Sequence, residues 1–64
     1  MKTLYDVQAF LRRFGTYVYF GDRKAELEFM LGELIELYAD EMMTREDFLT
    51  ATMLVKKELA AISK

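Results

Sequence analysis

Three stretches of this chain repeat apolar side chains at three- and four-residue intervals, and a helix-capping residue stands before each. That spacing returns side chains to one face of an α-helix. No proline interrupts any of the stretches, and Gly15 and Gly21 fall between the first two. The pattern predicts helices joined by short connections.

The first stretch runs from Thr3 to Phe14. Thr3 followed by Asp6 is a capping-box variant, with aspartate where glutamate is usual. Leu4, Val7, Phe10, Leu11 and Phe14 form one face. Arg12 and Arg13 sit in the last turn, where cations suit the helix dipole, and Gly15 follows where a left-handed cap wants glycine. The second helix is expected over 22–41, with Asp22 as its N-cap. Leu27, Met30, Leu31, Leu34, Leu37 and Tyr38 make its stripe, and Glu26, Glu33, Glu36 and Asp40 fall opposite. Gly32 inside it costs about 1 kcal/mol relative to alanine, which a close helix crossing would explain. Thr44 with Asp47 is a second capping-box variant and opens a helix over 45–62 that frays at Ser63 and Lys64. Phe48, Ala51, Thr52, Val55, Leu59 and Ile62 line its face.

Between the first two helices, Thr16-Tyr17-Val18-Tyr19-Phe20 is β-branched and aromatic. A lone strand has no partner in so small a helical chain, so 16–21 is expected as an extended connector packed over one end of a bundle. Phe14, Val18 and Phe20 are expected in the core, with Tyr17 and Tyr19 pointing outward by the alternation of an extended chain. Residues 1–64 then make one all-α domain, a small three-helix bundle.

Apolar residues at 53% and charged residues at 31% are a globular balance. A chain of 64 residues at about 0.05–0.15 kcal/mol each has a stability of roughly 3–10 kcal/mol. Absence of cysteine and histidine excludes disulfides, thiolate or imidazole metal sites, and Cys- or His-based nucleophilic catalysis. The Met1 start fits a complete small protein, no apolar signal segment follows it, and no run is long enough to span a membrane. A cytosolic location is expected.

Tyr5-Asp6-Val7-Gln8, Leu11, Phe14-Gly15-Thr16-Tyr17-Val18-Tyr19 and Gly21-Asp22-Arg23 resemble the YqgQ-like family, short uncharacterised proteins of low-GC Gram-positive bacteria. The likeness continues through Leu27-Glu28, Met30, Glu33 and Glu36-Leu37-Tyr38, and reaches the last helix only by pattern. The resemblance implies a three-helix bundle and supplies no enzymatic activity and no established binding residues. It also implies a suggested single-stranded nucleic-acid role, which rests on analogy of fold and charge.

Glu33, Glu36 and Asp40 neighbour one another on one helical face, where oxygens can in principle hold a hard cation. The bland account is a solvated acidic face. Gly15, Gly21 and Gly32 match no phosphate-binding loop, and so small a bundle has little room for a catalytic pocket. The expectation is a protein without enzymatic activity or cofactor, acting by binding.

Net charge is −2, yet it divides into +3 over residues 1–24, −7 over 25–47 and +2 over 48–64. Arg12, Arg13, Arg23 and Lys24 flank Phe14, Tyr17, Tyr19 and Phe20. Cations for phosphates beside rings for bases are what single-stranded nucleic acid needs. The candidate site is therefore Arg12, Arg13, Tyr17, Tyr19, Arg23 and Lys24. The acidic balance of the whole chain weighs against it. The alternative is a protein-interaction module or adaptor, with Phe29 ringed by Glu26, Glu33, Glu36 and Asp40 and offered to a basic partner. Met42, Met43, Leu49, Met53 and Leu54 lie outside the main stripes. The core is expected to absorb Leu49 and Met53, and self-association through such a patch is the other use for them.

Overall fold

Each helix begins at a side chain that accepts from one or two of its free N–H groups. In the computed structural model, which describes residues 1–63, the helices are α1 (Leu4–Arg12), α2 (Arg23–Ala39) and α3 (Arg45–Ile62). The all-α three-helix fold is as expected, and no strand occurs among the described residues. The fraying expected at Lys64 lies outside them.

Thr3 Oγ1 accepts from the Asp6 N–H at 3.3 Å, and Asp6 Oδ2 accepts in return from the N–H groups of Thr3 at 3.1 Å and Lys2 at 2.9 Å. The capping box is complete. Asp22 Oδ1 accepts from Lys24 and Ala25 at 3.1 and 3.3 Å. At α3 only half a box forms: Thr44 Oγ1 accepts from the Asp47 N–H at 3.1 Å, with no return bond from Asp47 among the described residues.

Two helices end sooner than the apolar pattern predicts, and for the same reason. At the end of α1 the Gly15 N–H donates to Arg12 O at 3.0 Å and the Thr16 N–H to Leu11 O at 3.1 Å. This is a Schellman closure, and it requires the φ of +83° that Gly15 adopts. At the end of α2 the Glu41 N–H donates to Tyr38 O at 3.0 Å and the Met42 N–H to Leu37 O at 2.8 Å. The closure is the same, but here Glu41 holds the left-handed φ of 60°.

Val7, Leu11, Leu27, Met30, Leu34, Ala51 and Val55 are fully buried, and Met43 nearly so. Arg23 meets Glu58 near one end of α2 while Tyr38 stacks on Phe48 at the other, with ring centroids 4.3 Å apart, so α2 and α3 run antiparallel. Thr52, the buried polar residue, donates its hydroxyl to Phe48 O at 2.8 Å. Val18 packs against the core as expected. No helix among the described residues is long and apolar enough to cross a membrane.

Several expectations about the interior do not hold. Phe14 and Phe20 are exposed. Phe14 lies past the end of α1 and rests on Phe10, ring centroids 5.0 Å apart. Leu49 and Met53 are 54% and 59% exposed, and Ile62 is also exposed; Met43 and Leu54 pack inward instead. Gly32 marks no helix crossing, because no other part of the fold lies within 4 Å of where its Cβ would stand.

A residue with a Cβ in the left-handed region costs about 1–2 kcal/mol. Glu41→Gly is expected to stabilise the protein by roughly 1 kcal/mol and to raise its thermal midpoint by about 4–8 °C. An unchanged or lower midpoint in thermal melts would refute the strain assigned to Glu41.

The N–H groups of Lys2 first and Thr3 second hold the Asp6 carboxyl below its ordinary pKa of 3.8. The folded value lies below the unfolded one. The box therefore stabilises fully above the unfolded value and is lost as pH falls through the folded one. Wild type and Asp6→Asn are expected to differ in thermal midpoint at about pH 7 and to converge below about pH 4. A gap that stays constant with pH would exclude the carboxylate as its source.

Candidate functional site

Closure of α1 at Gly15 turns the chain back along its own helix, and residues 16–20 then run without regular secondary structure. Alternation places Val18 inward and Tyr17 and Tyr19 outward, at 73% and 80% exposure. Glu26 fastens the far end of the connector: its Oε2 accepts from the N–H groups of Phe20 at 2.9 Å and Gly21 at 3.2 Å. Gly21 takes a φ of +75° there. The Glu26 side chain is only 13% exposed, although both bonds lie at the surface.

The result is a groove of about 180 Å³ between α1 and the connector, lined by Gln8, Arg12, Thr16, Tyr17, Val18 and Tyr19. The Arg12 guanidinium also stands 5.6 Å from the centroid of the Tyr5 ring. Tyr5 is itself 65% exposed. Three exposed tyrosines are thus grouped around one arginine. Tyr5, Gln8 and Arg12 follow at i, i+3 and i+7, one face of α1, a spacing visible in the sequence although Tyr5 and Gln8 are absent from the sequence-derived site.

The six candidate residues do not all converge. Arg12, Tyr17 and Tyr19 share the groove. Arg13, one step round the helix, lines a different cavity of about 480 Å³ with Met1, Lys2, Asp6, Phe10 and Asp47. Arg23 is drawn to Glu58 at 3.3 Å and Glu26 at 3.9 Å. Lys24 is exposed in the first turn of α2, outside the groove lining.

On α2, Glu28, Phe29, Gly32, Glu33 and Glu36 line a second, shallow groove of about 290 Å³. Glu26 and Asp40 do not join it as expected: Glu26 holds the connector and Asp40 caps the helix. The Phe29 ring meets Phe20 edge-on with centroids 5.3 Å apart, which ties this groove to the connector. Among the described residues no group of three or more carboxylates is placed to hold a metal ion, Glu33, Glu36 and Asp40 included.

These features define a class: a small all-α protein whose distinctive surface lies on its first helix and the aromatic connector after it. Residues 1–61 match the family model described as YqgQ-like, and the chain belongs to that family. It is similar to the uncharacterized protein YqgQ of Bacillus subtilis (strain 168), with 52% identity over 59 residues, covering 92% of this chain and 83% of the relative.

Removing the Glu26 carboxylate orphans two N–H groups that position the connector. Hydrogen bonds to a charged group contribute about 1.5–3 kcal/mol. Glu26→Ala is expected to accelerate amide hydrogen exchange at Phe20 and Gly21 well beyond that of the α3 core, as read by NMR. Equal protection in the variant would show that the connector is held by other contacts.

Proposed function

We propose that this is a non-catalytic cytoplasmic protein that binds single-stranded nucleic acid along the groove between α1 and the connector. The observation that supports this reading is the grouping of Tyr5, Tyr17 and Tyr19, all strongly exposed, around Arg12. A tyrosine left in water is a flat apolar surface with a polar edge, and every base has a face to stack on it. Arg12 supplies a phosphate partner or a further stacking plane. Gln8 and Thr16 add hydrogen-bonding groups to the wall of the groove.

Stacking carries most of the affinity in this reading, and phosphate neutralisation less. Fluorescence anisotropy with labelled single strands at low and moderate salt tests it. Tyr17→Ala and Tyr19→Ala are each expected to cost about 1–3 kcal/mol, roughly 5- to 150-fold in affinity. Arg23→Ala, whose guanidinium is engaged with Glu58, is expected to change little. With one arginine in the groove, the slope of log affinity against log salt is expected near −0.7. Failure to bind any single strand at low salt would overturn the proposal, and so would binding that ignores both tyrosines.

A further inference from the structure

Gly32 sits in the middle of α2, where it weakens the helix, and nothing in the fold requires it. Its φ is ordinary, and apart from its chain neighbours and the adjoining backbone of its own helix nothing stands within 4 Å of the missing Cβ. A glycine in open space on a helix surface lets a backbone come close from outside. Phe29 and the carboxylates of Glu28, Glu33 and Glu36 surround the notch. The occupant it fits is a helix ridge that is apolar and positively charged.

Such a ridge is on the same chain. Leu49, Met53, Lys56 and Lys57 are exposed and share one shallow groove on α3. Their spacing, at i, i+4, i+7 and i+8, makes a single stripe. Leu49 and Met53 would meet Phe29 and the notch over Gly32, and the two lysines would meet the carboxylates. Ridge-into-groove packing of two helices needs this relief.

We propose that the α2 notch receives the α3 stripe of a second copy of this chain. Notch and stripe are different patches, so the contact is heterologous, and each joined pair keeps one free notch and one free stripe. Growth then continues past the dimer. Each side offers about five residues where stable interfaces offer about 20–30, so the contact is transient, with a dissociation constant on the order of 1 mM. Opposed charges make it weaken with salt.

Sedimentation equilibrium of the full chain tests this. At low salt and about millimolar protein, the weight-average mass is expected to rise beyond two chains, and added salt to return it toward one. Glu33→Lys with Glu36→Lys, and separately Lys56→Glu with Lys57→Glu, are each expected to stay monomeric, because like charges then face each other. An equimolar mixture of the two double variants is expected to associate again. Gly32→Leu fills the notch, and is expected to stay folded by circular dichroism yet monomeric. A wild type that remains monomeric at low salt overturns the proposal. So does a mass that stops at two chains, or association that survives in both double variants. A monomer that captures a lysine-rich amphipathic peptide at the notch also overturns it, by assigning the notch to another protein.

Discussion

Seven side chains without solvent exposure hold the three helices together: Val7 and Leu11 from α1, Leu27, Met30 and Leu34 from α2, and Ala51 and Val55 from α3. Everything else in the molecule depends on that one layer. A chain of this size hides only about 60% of its unfolded surface, so the layer has no reserve. Helix α1 depends on it most. Nine residues are too few for a helix to persist alone, and α1 exists because a capping box fixes its start, a Schellman turn fixes its end and two buried residues pin its middle. Arg12 faces the connector, with Tyr5 beside it, only while Val7 and Leu11 stay buried on the other side of the same helix.

So small a core leaves large apolar side chains outside. Single exposed apolar residues are ordinary, but grouping them is not. Here five of the exposed aromatics gather in two places joined by the connector, while Phe14 and Tyr38 rest elsewhere on Phe10 and Phe48. One is the tyrosine groove. The other is the Phe20–Phe29 pair, which leads from the connector to the acidic surface of α2. Glu26 keeps the two in fixed relation, since it belongs to α2 and holds the N–H groups of the connector.

The sequence disclosed starts better than stops, and stops better than burial. Thr3, Asp22 and Thr44 are legible because capping is a local act of one side chain on nearby N–H groups. Gly15 announces its turn, whereas Glu41 makes the same turn with a residue that carries no such signal. Alternation along 17–19 is legible because an extended chain has a fixed period. The failures are three-dimensional. Leu49 and Met53 are each two residues from Ala51, about 200° round the helix, and only a third neighbouring helix would have covered them. Phe14 continues the apolar phase of α1, but the chain leaves the helix before reaching it. Arg12 and Arg13 are about 100° apart, and nothing local tells which of the two the connector will face.

That last ambiguity changes the physics of the proposed site. Counted along the chain, four cations between residues 12 and 24 suggest a surface that collects phosphates. Counted in space, Arg13 lies on another cavity, Arg23 is engaged with Glu58 and Lys24 lies outside the groove lining, which leaves Arg12 among the tyrosines. A surface of that kind does not steer a polyanion from a distance. The Debye length at physiological ionic strength is about 8 Å, so only charge close to the groove acts on what binds there. The acidic groove of α2 adjoins the connector through the Phe20–Phe29 contact, so its charge weighs against a polyanion there, and Arg12 alone does little to accelerate encounter. Encounter at the unsteered rate of about 10⁵–10⁶ M⁻¹s⁻¹ leaves the residence time to decide affinity. Residence is what stacked rings lengthen, and it places the selectivity of such a site in the exposure of bases more than in the charge of the backbone.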